Sequence, residues 1–249
     1  MEIIHEPFDF NSQLKDIDDV MSVTGDKVTK FQSIPSLEVI GDLKLFVSVA
    51  SVVFLRLRRK QDNSLAAFGE EIKNSQPQQV TFRQRHNAQQ IFINLMREHT
   101  KCFDFLFFGD EMACVLDTAF QPDINILFEQ LAKVNSMLSI LNRKSQLSDI
   151  PAMEWGIGVH YGEIFVSLQR HLLNDIFYNY SGLAFQTSFD LAQQAMGDNP
   201  NTIYTSDVFY QNLKDTYKEM MHKKESSIYT ANIINRPMKD WQTENLDNK

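Results

Sequence analysis

FDFLFFGDEMACVLD, Phe103 to Asp117, is the stretch whose reading decides the fold. Two apolar runs flank Gly109-Asp110, and a Gly-Asp pair between such runs has the chemistry of a tight hairpin turn. An aspartate at that tip is held out of the core, where a cation or a phosphate group can meet it. Counting outward from the turn sets Cys114 opposite Phe105, not opposite Cys102, the other cysteine of the chain. This register argues against a cross-strand disulfide and predicts buried free thiols.

Upstream, Leu43 to Leu55 (LKLFVSVASVVFL) is rich in Val and Phe and apolar on both faces, as in a central sheet strand. Arg56, Arg58, Arg59 and Lys60 follow, either as a solvated strand end and loop or as a clamp for a polyphosphate, since guanidinium groups match phosphate geometry. Residues 61–81 read as polar loop, with a short helix near Leu65 to Ile72. Phe82 to Lys101 reads as an amphipathic helix, with Ala88, Ile91, Phe92, Leu95 and His99 at three- and four-residue steps. His86 and His99 are too far apart for a shared i,i+4 metal site and are read as surface or helix-end histidines.

Downstream, Pro122-Asp123 opens a second helix with Asp123 as N-cap, and Leu127, Leu131, Val134, Leu138 and Leu141 form its core stripe. WGIGVH–YG–EIFVSL reads as a second hairpin, with Gly162 at the turn and His160 at the strand end, either as a catalytic group or, more commonly for such a position, as a hydrogen-bonded hairpin-end histidine. No Ser or Cys nucleophile signature accompanies His160. Residues 169–181 are aromatic and irregular. Gly182 precedes a helix from Leu183 to Met196, with Phe185, Phe189, Ala192 and Ala195 on its inner side. A short strand Thr202 to Thr205, a helix from Asp207 to about Tyr217 capped by Ser206, and a last strand Ser227 to Ile234 complete the order. Helices between strand pairs predict an α+β sandwich with a mixed or antiparallel sheet.

The totals set limits. A chain of 249 residues with 43 % hydrophobic residues builds a substantial core. No internal repeat or linker divides it, which predicts one domain over 39–241 behind a polar N-terminal extension, 1–38, and before a polar tail, 242–249. Asp16, Asp18 and Asp19 in the extension read as a solvated face, because the Gly and Glu offsets of an EF-hand loop are absent. No apolar run spans a bilayer, and the acidic start MEIIHEPFDF is no signal peptide, so a cytoplasmic protein without membrane contact is expected. A net charge of −8 disfavours general nucleic-acid binding and leaves room for a small phosphorylated ligand held by local charges.

LKLFVSV, LFFGDEMACVLDT and EWGIGVHYGEIFVSL followed by SGLAFQTSFDLA together resemble the catalytic domain of class III nucleotidyl cyclases. The resemblance implies the ferredoxin-like βαββαβ fold of that family. QPDINILFEQLAKVNSMLSILNRK, NDIFYN, TSDVFYQNL and IYTANIINRPMKDW are similar to segments of the bacterial Pycsar antiphage cyclases, which make cyclic CMP or cyclic UMP. It covers roughly residues 30–241. It implies a nucleoside triphosphate ligand, Mg²⁺ or Mn²⁺ as cofactor, and a homodimer or a heterodimer with another cyclase-like subunit.

The family's chemistry does not carry over intact. Two carboxylates hold two metal ions in the family, one ion activating the ribose 3′-hydroxyl and one neutralising the triphosphate. Asp110 matches the second carboxylate, whereas the first falls on Ser48. Leu183 stands for the acidic base reader, Gln186 for the ribose-positioning Asn, Asp190 for the cation that meets developing phosphate charge, and Leu106 near the purine-reading Lys. Of Asp104, Glu111 and Asp117, Glu111 is best placed to supply the missing charge, because it adjoins Asp110. Gly109, Arg56 and Arg58 are the candidate phosphate contacts. Three readings stand at this point. The first is a degenerate cyclase relative acting as a regulatory or nucleotide-sensing subunit. The second is an active cyclase of unusual metal use, and the third an interaction module without nucleotide.

Overall fold

The computed structural model describes residues 28–36, 39, 45–60, 75–170 and 176–247. The acidic cluster of the extension and the short helix expected near Leu65 to Ile72 lie outside these residues.

Strand β1 (Thr29–Phe31) pairs in parallel with β2 (Leu45–Arg59), so part of the sequence read as an extension belongs to the sheet. Helix α1 (Ser75–Arg97) leads to the hairpin β3 (Cys102–Phe108) and β4 (Glu111–Leu116). Helix α2 (Gln121–Gln146) returns the chain to β5 (Met153–Arg170). These elements run β2-α1-β3-β4-α2-β5, and the sheet order β3-β4-β2-β5 is that of a ferredoxin-like βαββαβ unit. Beyond it come β6 (Ile176–Ser181), α3 (Leu183–Asp198), β7 (Thr202–Ser206) and the short helices α4 (Asp207–Gln211) and α5 (Asp215–Lys218). The chain closes with β8 (His222–Glu225), β9 (Ile228–Ala231) and α6 (Arg236–Gln242). Among the described residues, no helix is long and apolar enough to cross a membrane.

Strand β2 is central, as its two-faced apolar pattern predicts. Val53, Leu55 and Leu57 point into the core under α1 and α2, together with Phe92, Met96, Leu127, Leu131, Val134 and Leu138. Phe46, Ala50, Val52 and Phe54 point to the opposite face, against Ile164, Val166, Ala184 and Ala192. The strand continues past Leu55: Arg56 pairs with Glu111 and Gly156, and Arg58 with Glu154, so the arginines are laddered and not in a loop.

The hairpin expected at Tyr161-Gly162 does not form. Strand β5 runs unbroken beside β2 from Met153↔Arg59 to Ser167↔Leu45, with Gly162 paired to Ala50. The N-terminal half of β2 needs a continuous neighbour to satisfy its backbone, and β5 supplies it only by staying extended. Strand β6 pairs antiparallel with β5, Phe165↔Ser181 to Arg170↔Ile176, so residues 176–181 form a strand where irregular chain was expected.

Gly156 and Gly158 let α3 lie directly on β5. A Cβ at Gly158 would sit 2.0 Å from the Ser188 carbonyl oxygen and 2.3 Å from the Ala192 nitrogen. Two smaller expectations are also revised. Helix α2 is capped by Phe120 without a side-chain bond, so Asp123 lies inside the first turn. Ser206 does cap α4, accepting from Phe209 N at 3.2 Å, but that helix is one short turn separated from α5.

Candidate functional site

The tip hairpin forms as its sequence predicts. Phe108 pairs with Glu111, which leaves Gly109-Asp110 as the turn, and Gly109 adopts φ +67°, a conformation that strongly favours glycine. Leu57 N donates to the Asp110 carbonyl oxygen at 3.1 Å, and Gln89 Nε2 donates to the Gly109 carbonyl oxygen at 3.1 Å. The tip is thereby clamped between the end of β2 and the middle of α1. Both of its acids meet an arginine. Arg85 Nη1 of α1 pairs with Asp110 Oδ1, and Arg56 Nε pairs with Glu111 Oε1 at 3.0 Å. Arg58 is engaged elsewhere, with Glu154 at 2.7 Å.

Ser48 is not part of this cluster. It pairs with Phe31 and Ile164, fully buried, and its hydroxyl has no hydrogen-bond partner. Eight residues separate it from Arg56, about 26 Å along an extended strand at ~3.3 Å per residue. The β2 side chain beside the tip is Arg56, not Ser48. Asp104 and Asp117 are also occupied: Asp104 accepts from Tyr180 OH at 2.8 Å, and Asp117 from Ile34 N at 3.0 Å. Burial, then the Asp104 charge, push the Tyr180 pKa up and hold its phenol protonated.

Between the tip and the start of α3 lies a cleft of about 430 Å³, lined by Phe54, Phe108, Tyr180, Phe185, Phe189 and the polar Glu111 and Gln186. Phe54 is its hub, stacked on Phe108 with ring centres 6.1 Å apart and edge-on to Phe185 and Phe189 at 5.1 and 5.6 Å. Tyr180 stacks on Phe185 at 6.1 Å. The aromatic density of FDFLFF, IFYNYS and FQTSF is the signal in the sequence that marks this cleft. Gln186 donates to Asp190 at 2.9 Å, one turn along α3, and Leu183 is 71 % exposed at the rim. Asp190 turns into a neighbouring cleft of about 290 Å³ with His160, Thr187, Gln194, Ser206 and Asp207. His160 stands mid-strand, buried, with Nδ1 unpartnered, contrary to the hydrogen-bonded hairpin end expected of it.

No family description and no curated protein sequence matches the chain. Solved structures do. The guanylyl cyclase Cya2 superposes with a TM-score of 0.56 at 14 % identity, over 77 % of this chain and 95 % of that one. The adenylyl cyclase CyaB from P. aeruginosa gives 0.54 at 14 %, over 76 % and 95 %. This chain has the class III nucleotidyl cyclase fold. A class III adenylyl cyclase-like ATP-binding protein from Pseudomonas aeruginosa gives 0.58 at 14 %, over 92 % of this chain and 48 % of that one.

Mg²⁺ takes hard anionic oxygen, usually from one or two carboxylates plus phosphate. Here Asp110 pairs with the Arg85 guanidinium and Glu111 with that of Arg56, the residue that the adjoining strand places beside the tip. Among the described residues no group of three or more His, Cys, Asp or Glu side chains converges. Arg56 adjoins the aromatic cleft through Glu111, which lines it, and Arg85 holds Asp110 from α1.

Proposed function

We propose that this protein binds a nucleotide on a cyclase fold without cyclising it on its own, and serves as a regulatory or nucleotide-sensing subunit in a cyclic-nucleotide system of the Pycsar antiphage type. The observation that carries the reading is the pairing of both tip acids with arginines. A divalent ion entering there must break two ion pairs and sit beside two guanidinium groups, which Coulomb repulsion opposes. Phosphate faces the opposite balance, because Arg56 and Arg85 can exchange a carboxylate for a phosphate oxygen. The base has the aromatic cleft beside them, where stacking is tolerant of base identity. Asp190, bonded to Gln186, adds negative charge on α3 where a turnover enzyme gathers positive charge.

A partner subunit suits this surface. Phe108, Leu183 and Phe165 are exposed around the rim of the cleft, apolar groups that association with a second cyclase-like chain, identical or different, would cover. A second reading, an active cyclase with non-standard Mg²⁺ or Mn²⁺ ligation, rests on the adjacency of Asp110 and Glu111. Titration of the purified protein with ATP, GTP, CTP and UTP, with and without Mn²⁺, decides among the readings. Saturable binding that does not require the metal, with no cyclic product, is the expected result. Cyclic product that disappears in Asp110→Ala overturns the reading, and absence of binding by all four nucleotides leaves an interaction module.

A further inference from the structure

Cys102 and Cys114 were expected to lie apart, and the ladder register is the expected one: Cys114 pairs with Phe105, and Cys102 with Leu116. A bulge between Cys102 and Asp104 changes the outcome. Phe103 drops out of the ladder, β3 bends, and the two sulfur atoms come to 3.7 Å. A disulfide needs about 2.05 Å between sulfurs, and the unladdered residue gives β3 local freedom to close the difference.

The two thiols differ in access. Cys102 is half-buried on the wall of a cleft of about 470 Å³ that also presents Arg97, Thr100, Asp104 and Phe107. Cys114 is fully buried in the core under α1 and α2. A small oxidant therefore reaches the first and not the second. We propose that Cys102 and Cys114 form a peroxide-oxidisable dithiol, with Cys102 the attacking thiol and Cys114 the resolving one. The hydrogen bond with Cys114, and after it the Arg97 charge, lower the Cys102 pKa despite partial burial, whereas burial raises that of Cys114. The order of the two shifts makes Cys102 the attacking thiol.

The steps balance. The Cys102 thiolate attacks one oxygen of hydrogen peroxide, the O–O bond breaks, and the departing hydroxide takes a proton to become water, leaving Cys102 as a sulfenic acid. The Cys114 sulfur then attacks the Cys102 sulfur, the S–O bond breaks, the thiol proton leaves with the hydroxyl as a second water, and the disulfide remains. Two sulfurs are each oxidised by one electron, and one peroxide is reduced to two waters. The bond pins β3 to β4 at the open end of the hairpin, remote from the turn that carries Asp110.

The test uses the full chain and hydrogen peroxide. Denatured thiol counting is expected to fall from the two cysteines of the chain to none, with a loss of two hydrogens in the tryptic peptide that follows Lys101 and holds both cysteines, and no covalent dimer on a non-reducing gel. Cys102→Ser is expected to leave Cys114 unreactive. Cys114→Ala, which avoids burying a hydroxyl, is expected to accumulate a dimedone-reactive sulfenic acid at Cys102. Two thiols surviving peroxide, conversion of Cys102 to sulfinic acid without a disulfide, or a disulfide between chains would each overturn the assignment.

Discussion

Arg85 of α1 and Asp110 of the β3–β4 turn form an ion pair that ties the first helix to the hairpin tip. Arg85→Gln is expected to cost little stability, about 0.2–1 kcal/mol, because Asp110 is 49 % exposed and its partner is screened by water. Its larger effect is chemical. Combined with Arg56→Gln, it leaves Asp110 and Glu111 as an unpaired carboxylate pair, and Mn²⁺ affinity rises. Paramagnetic titration of wild type and double variant checks this; equal affinities contradict the view that the arginines hold the metal off.

The stacking of a base in the aromatic cleft predicts a loss on trimming its exposed wall. Phe108→Ala removes a ring that is 48 % exposed and stacked on Phe54, so folding loses about 1 kcal/mol. Nucleotide affinity falls by the value of one stacking contact, about 1–3 kcal/mol or roughly 5- to 150-fold. Fluorescence titration alongside a urea melt separates the two effects.

Gly158 and Gly197 make opposite predictions from the same substitution. Gly158→Ala drives a methyl group into the backbone of α3 at Ser188 and Ala192, and costs at least about 3 kcal/mol or prevents folding. Gly197 stands in α3 with nothing within 4 Å of an added Cβ. Gly197→Ala gains about 0.5–1 kcal/mol from helix propensity. Chemical denaturation of both variants measures the contrast.

His160 gives stability a pH dependence of known sign. Burial lowers its pKa in the folded state, so the unfolded chain binds the proton more readily. The contribution is fully present above the unfolded value of about 6.5 and is lost as pH falls through the folded one. Asp190 and Asp207 line the same cleft. His160→Gln is expected to flatten the melting profile below neutrality; an unchanged slope assigns the acid limb to other groups.

The hairpin tip, the two-faced central strand and the core stripe of α2 were legible because each depends on local pattern: turn chemistry, alternation, and a 3.6-residue period. The errors came where tertiary pairing overrides that pattern. Tyr161-Gly162 has turn chemistry, yet the length of β2 keeps β5 extended through it. The reach of β2 through Arg59 moved the strand position beside the tip from Ser48 to Arg56, and only the β2–β4 register reveals it. A single bulge at Phe103 brought Cys102 to Cys114, a contact that counting from the turn excludes. The aromatic cleft assembles from three separate stretches, at Phe54, Phe108 to Glu111 and Tyr180 to Phe189, and is visible only once they are folded together.

The central claim is that a cyclase fold here holds nucleotide without turning it over alone. The most direct measurement incubates the purified chain with each of the four ribonucleoside triphosphates and Mn²⁺, and follows cyclic product by mass spectrometry beside Asp110→Ala. The account predicts no product above that variant's background while nucleotide binding persists. Cyclic nucleotide formed by the wild-type chain and absent from Asp110→Ala would contradict it.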